Sequence, residues 1–156
     1  MEPRIIYKTA FSVIGIWKNG NPSSSSLDAV WERLGERYAE IPCADPDEGY
    51  GVHLKAGPGH NYLAGLAIRS RCTAGNVPPG MSKLDLDAHA YAVFHHRGRL
   101  ENLEGTLHEI FSNWLPGSGY QADADYFFEY YDDRFQPDTD DSLLFVYVPI
   151  VEINGE

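Results

Sequence analysis

Cysteine is scarce in this chain of 156 residues. Cys43 and Cys72 stand far apart and in no metal-ligating spacing, so the sequence reads as two reduced thiols in an intracellular protein. Basic residues are also few: 12 Lys and Arg face 23 Asp and Glu, for a net charge of −11. A field of that sign repels nucleic-acid phosphates and attracts cations, and no basic stripe is visible, which argues against direct nucleic-acid binding. No apolar run approaches the ~18 residues of a membrane span. The opening Met1-Glu2-Pro3-Arg4 lacks the charged-then-apolar order of a secretory leader, so a cytoplasmic location is expected. No Gly-rich phosphate loop is present, and Gly57-Pro58-Gly59 reads as a turn. No Gly-x-Ser-x-Gly elbow occurs, and Arg71 beside Cys72 is too little to mark a nucleophile.

What is present is a globular composition, 43% hydrophobic and 13% aromatic, on a chain long enough to bury a core. Phe11–Trp17 reads as a strand. The serine run 23–26 supplies a helix N-cap, and Leu27, Val30, Trp31, Leu34 and Tyr38 recur at helical spacing to about Ala39. Strands at Tyr50–Leu54 and Tyr62–Ile68 then flank the turn at 56–60, making a hairpin. After a link containing Gly75, Pro78, Pro79 and Gly80, the order repeats. It runs through a strand at Ala88–His95, a helix at Asn102–Trp114, a strand at Tyr126–Tyr131, an acidic turn at Asp132–Asp141 and a strand at Leu143–Ile150.

Shifting the sequence by 76 carries Leu27 to Leu103, Trp31 to Leu107, Leu34 to Ile110, Tyr38 to Trp114 and Tyr50 to Tyr126. The first strands match at a slightly larger shift, and the last ones after allowing for the longer acidic turn. The expected fold is therefore α+β, one domain over 1–156 built from two pseudo-symmetric βαββ repeats (about 8–70 and 86–152). They would form an antiparallel sheet with two main helices and a ligand pocket between the halves.

The sharpest candidate is Glu129, the only charge in Tyr126-Phe127-Phe128-Glu129-Tyr130-Tyr131. Strand alternation puts it on one face with Phe127 and Tyr131, and aromatics on both faces imply that both are covered. A buried carboxylate needs a partner. It is either an Arg or a solvent edge, or else a ligand cation, drawn by charge and by cation–π contact with the rings. Trp114, Phe111, Tyr147, Tyr91, Tyr62 and Tyr50 are the aromatic candidates for the pocket wall. His95 and His96 are adjacent and so face opposite ways, and with His89 they complete no ligand set. No metal and no cofactor are expected. The acidic turn does not fit a calcium loop and reads as a solvated hairpin tip.

Several segments in this order resemble the GyrI-like family: Tyr62-Leu63-Ala64-Gly65, then Tyr91-Ala92-Val93-Phe94 with His96 and Gly98. Trp114-Leu115-Pro116 with Gly119-Tyr120 comes next, followed by Phe128-Glu129-Tyr130 and Val146-Tyr147-Val148-Pro149-Ile150. That family comprises the effector-binding domains also found behind the DNA-binding parts of AraC-type and MerR-type multidrug regulators. The resemblance covers nearly the whole chain. It implies a hydrophobic, aromatic-lined pocket between the halves, with a glutamate that receives lipophilic cationic small molecules. Glu129 stands at that acid, Tyr147 at a common aromatic pocket position and Trp114 at the tryptophan ending the second helix. A first strand by about residue 11 leaves no room for a helix-turn-helix upstream, so a stand-alone domain is expected, similar to the gyrase inhibitor that names the family and to integron-cassette members.

Three functions follow as expectations. The first is a binding protein for hydrophobic cations that sequesters them or signals to a partner. The second is a hydrolase of small electrophiles using Glu129 with Tyr147 or Tyr91, ranked lower because the sequence offers no second fixed acid or base nearby. The third is a protein-interaction module whose partner is a DNA-binding regulator or gyrase.

Overall fold

Nine strands and two helices carry the chain among the residues described by the computed structural model, which are 2–19, 24–56, 59–69, 77–136 and 139–153. The strands are β1 (Arg4–Lys8), β2 (Phe11–Asn19), β3 (Ala44–Ala56), β4 (Gly59–Ile68), β5 (Ser82–Leu86), β6 (His89–Arg97), β7 (Tyr120–Ala122), β8 (Tyr126–Tyr131) and β9 (Leu143–Glu152). The helices are α1 (Ser24–Gly35) and α2 (Leu103–His108), the latter prolonged by a π-helical turn at Glu109–Trp114 and a 3₁₀ turn at Leu115–Gly117. The expected cap at Ser23, the turn tip Gly57-Pro58, Cys72, Gly75 and Asp138 of the acidic turn lie outside the described residues.

The helix expected to reach Ala39 stops at Gly35, a poor helix former, and a separate 3₁₀ turn follows at Tyr38–Glu40. β3 is longer than the expected Tyr50–Leu54, starting at Ala44 and shifting register before Gly49. Cys43 is a disulfide half and not the reduced thiol that composition suggested. Among the described residues, no helix is long and apolar enough to cross a membrane.

The strands form one antiparallel sheet in the order β1-β6-β9-β8-β3-β4-β2-β5, with β7 paired to β9 off this path. The two βαββ units are β2-α1-β3-β4 and β6-α2-β8-β9, and they meet where β3 pairs with β8. The shift of 76 that aligns the helices also carries Val52 to Phe128, and these two residues are cross-strand partners. The pseudo-two-fold axis therefore passes between them.

Each unit is also led by a strand that sequence patterning missed. β1 has five residues and β2 nine, joined by Thr9-Ala10; β5 and β6 repeat those lengths, joined by Asp87-Ala88. These leading strands are exchanged: β1 pairs with β6 and β5 with β2. A two-residue link spans at most about 11 Å between Cα atoms. Six strand spacings across a flat sheet would need about 29 Å. The sheet must therefore curl until its edges approach one another. Facing glycines Gly15 and Gly65 help: a Cβ at Gly15 would lie 1.9 Å from the Ala64 carbonyl oxygen.

Curling separates two faces. The inner face packs Val13, Tyr50, Val52, Leu63, Leu86, Tyr91 and Phe128 into one cluster. The outer face is covered by helices, α1 over Ile14, Ala64 and Leu66, and α2 over Phe94, Val146 and Val148. The centre of that outer face, between the two helix-covered clusters, is where the dyad emerges.

Candidate functional site

Pairing of β3 with β8 sets Gly49, Gly51 and His53 opposite Tyr131, Glu129 and Phe127. Cross-strand partners share a face, so these six stand together on the helix side. Tyr62 on β4 lies opposite His53 and joins them. Two of the six are glycines, and the space they leave is used: a Cβ at Gly51 would lie 2.1 Å from the Tyr62 hydroxyl, and one at Gly49 would lie 3.1 Å from the Trp31 ring. Bare backbone thus forms the floor on which Tyr62 and Trp31 rest.

Glu129 is 2% exposed. Its Oε2 lies 2.9 Å from Nε2 of His53, which is itself 7% exposed. The other ring nitrogen of His53, Nδ1, lies 3.0 Å from Nε2 of His60, a half-buried residue on β4. The His53 ring stacks on Phe127 at 4.4 Å between centroids and meets the edge of Tyr62 at 4.9 Å. Among the described residues, neither the Arg nor the solvent edge that the sequence offered as alternatives to a ligand cation meets this acid. A histidine does, and it is the second titratable group whose absence had lowered the ranking of the hydrolase.

The second carboxylate oxygen is served by a chain of phenols. Trp31 Nε1–H donates to the Tyr62 hydroxyl at 2.9 Å, Tyr62 is hydrogen-bonded to Tyr131, and Tyr131 donates to Glu129 Oε1 at 2.5 Å. An indole can only donate, so the Tyr62 oxygen must accept there. Its proton then points to Tyr131, whose own proton points to Glu129. Burial and the neighbouring carboxylate hold both phenols well above their ordinary range, so they stay protonated and act as donors. Burial and the neighbouring His53 lower the affinity of His60 for a proton.

The expected pocket residues divide between the two faces. Tyr131 and Tyr62 gather at Glu129, and Phe111, from the π-helical turn after α2, packs on Phe127 at 5.1 Å. Trp114 sits farther along that turn against Phe94 and Tyr120, at 5.0 and 6.2 Å. Tyr50, Tyr91 and Tyr147 lie on the inner face, each in ring contact with Phe128 at 5.5, 5.3 and 4.6 Å. Phe128 and Glu129 point to opposite sides of β8, so these three tyrosines are separated from the carboxylate by the sheet itself.

Sequence reading missed His53, His60 and Trp31 as site residues. A signal for His53 was present, because the shift of 76 that places Tyr50 on Tyr126 also places His53 on Glu129. The histidines considered as metal ligands lie elsewhere: His96 is buried against Thr106 and the Arg99 carbonyl, His95 is exposed, and His89 meets Asp123.

Comparison with known proteins gives concordant matches. A family model for the GyrI-like small molecule binding domain matches residues 1–151. The transcriptional regulator BrlR of Pseudomonas aeruginosa is 33% identical over 153 residues; the match takes in 96% of this chain and 56% of BrlR, so the chain spans about half the length of that relative. The structure of SAV2435 bound to tetraphenylphosphonium superposes with a TM-score of 0.77 at 14% identity, covering 97% of this chain and 94% of that one. The C-terminal domain of EcmrR gives a TM-score of 0.76 at 12% identity, covering 97% and 98%. At such identities the last two establish the fold alone.

Proposed function

The chain belongs to the GyrI-like small-molecule-binding domain family, and from that premise we propose that it takes up a lipophilic organic cation at the carboxylate of Glu129. One observation carries the reading. A carboxylate that is 2% exposed lies among rings from both halves of the fold and, among the described residues, has no Lys or Arg as ion-pair partner. In so dry a setting a unit charge attracts an opposite one far more strongly than in water. The rings of Tyr62, Tyr131 and Trp31 add cation–π attraction, and Phe127 and Phe111 add apolar contact. Trp31 of α1 and Phe111 of the turn after α2 bring one ring from each half to this face.

The hydrolase reading ranks second, and the His53–Glu129 contact favours it, since an imidazole held by a carboxylate is a competent base. Turnover of a small electrophile by wild type, lost in Glu129→Gln, would raise it to first.

Titration with tetraphenylphosphonium, followed through tryptophan fluorescence, tests the proposal on wild type and Glu129→Gln. Micromolar affinity corresponds to about −8 kcal/mol. Loss of a desolvated charge pair should weaken binding by about 2 kcal/mol or more, roughly thirtyfold. Equal binding by both proteins, or binding by neither, removes Glu129 as the cation receptor.

A further inference from the structure

Among the described residues, the buried acid and the imidazole beside it are connected toward the surface by a second imidazole. With His53 neutral and its proton on Nε2, that N–H donates to Glu129 while Nδ1 accepts from an Nε2–H of His60. With His53 as imidazolium, Nε2–H still donates to Glu129 and Nδ1–H donates to a lone pair on His60 Nε2. Both states satisfy the same contacts, at 2.9 and 3.0 Å. What changes is the charge of the His53–Glu129 pair, from −1 to 0. A proton can therefore be gained or lost here without an orphaned buried polar group.

Other titratable groups around His53 do not supply that charge. From β4 it faces His60 and Tyr62, and from β8 Glu129 and Tyr131, with Phe127 stacked on it. Trp31 of α1 and Phe111 of the turn after α2 bring rings without charge. The two phenols stay protonated, and His60 is held toward its neutral form.

Resting on the cation-binding reading above, we infer that ligand uptake is a cation-for-proton exchange: the organic cation takes the place of the proton on His53 as counter-charge to Glu129, and that proton leaves through His60. The balance is one cation bound and one proton released, with the site's net charge zero before and after. His53 becomes the residue that sets how strongly pH governs ligand affinity. Proton and ligand share one counter-charge, the Glu129 carboxylate, so binding one is linked to losing the other.

Isothermal titration with tetraphenylphosphonium, which carries no titratable proton, tests this between pH 5.5 and 8.5. Each titration is run in two buffers of different ionisation enthalpy, so that the difference in heat counts protons. Wild type is expected to release up to one proton per ligand on the acid side. There its affinity should rise with pH toward a limiting slope of about tenfold per unit. His53→Gln keeps an amide N–H for Glu129 and cannot ionise; it is expected to bind with no proton release and no pH slope. The proton count on wild type needs no variant, so a misfolded His53→Gln leaves the test intact. Binding by wild type with no proton released and a flat pH profile overturns the exchange while the cation reading stands. A His53→Gln protein that releases as many protons as wild type also overturns it. No binding at any pH overturns both.

Discussion

Equivalent positions in the two halves have been put to unequal use. Under the internal shift of 76, Val52 and Phe128 face each other across the dyad, His53 corresponds to Glu129, and Gly51 corresponds to Phe127. Duplication supplied the geometry: two antiparallel strands whose equivalent side chains are brought close because the axis runs between them. Divergence supplied the chemistry. One copy became an acid and the other an imidazole, close enough to hydrogen-bond; one copy became a ring for that imidazole to stack on and the other a gap for Tyr62. Two identical residues at the first pair of positions, two acids for instance, would have repelled each other.

The largest effect expected from breaking this arrangement lies on the inner face at the dyad. Phe128 is fully buried and touches Phe11, Tyr50, Tyr91 and Tyr147. Phe128→Ala should lower unfolding free energy by about 3–5 kcal/mol, read from the midpoint of urea denaturation. Its effect on cation affinity should be smaller than that of Glu129→Gln, because it acts from the far side of the sheet.

Filling the gap on the helix side comes next. Gly51→Ala puts a methyl 2.1 Å from the Tyr62 hydroxyl. The phenol must shift, and with it the chain from Trp31 to Glu129. A loss of about 1–3 kcal/mol in stability is expected, with changed tryptophan emission because Trp31 donates to Tyr62. Unchanged stability and emission would mean that the two halves do not differ in the way the glycine floor requires.

The smallest effect concerns the turns. In the first half Ala56 pairs with Gly59 across the hairpin, while in the second a longer acidic segment separates β8 from β9, and there Arg134 holds the Asp132 carboxyl below its usual range. A carboxyl lowered in the folded state stabilises above its unfolded value, about pH 4, and loses that contribution as pH falls below it. Asp132→Asn should therefore be slightly less stable than wild type at pH 7, with the difference closing under acid conditions. A difference that grew on acidification would contradict the assignment.

Much of this was legible before the fold was seen. The helical stripes, the duplication and the alternation that sets Glu129 with Phe127 and Tyr131 all follow from local periodicity. β1 and β5 were not legible, because each is a five-residue edge strand with exposed positions and mixed polarity, and each pairs with the other half. Tyr50, Tyr91 and Tyr147 shared the composition expected of a pocket wall, yet they fell on the face away from the carboxylate. Which strand faces turn together depends on register between segments far apart in the chain, and a slip of one residue inverts a face.

By itself, then, the sequence determined that a lone acid would stand in a strand of aromatics within a duplicated α+β domain, since apolar residues at regular spacing fix which elements form and which positions share a face; it left a solvent edge or an Arg open for that acid. Only the tertiary structure decided what that acid meets. His53 and Glu129 are 76 residues apart, and a hydrogen bond between them exists only because the sheet pairs β3 with β8 about a two-fold axis. That pairing is a long-range registration which no local spacing encodes.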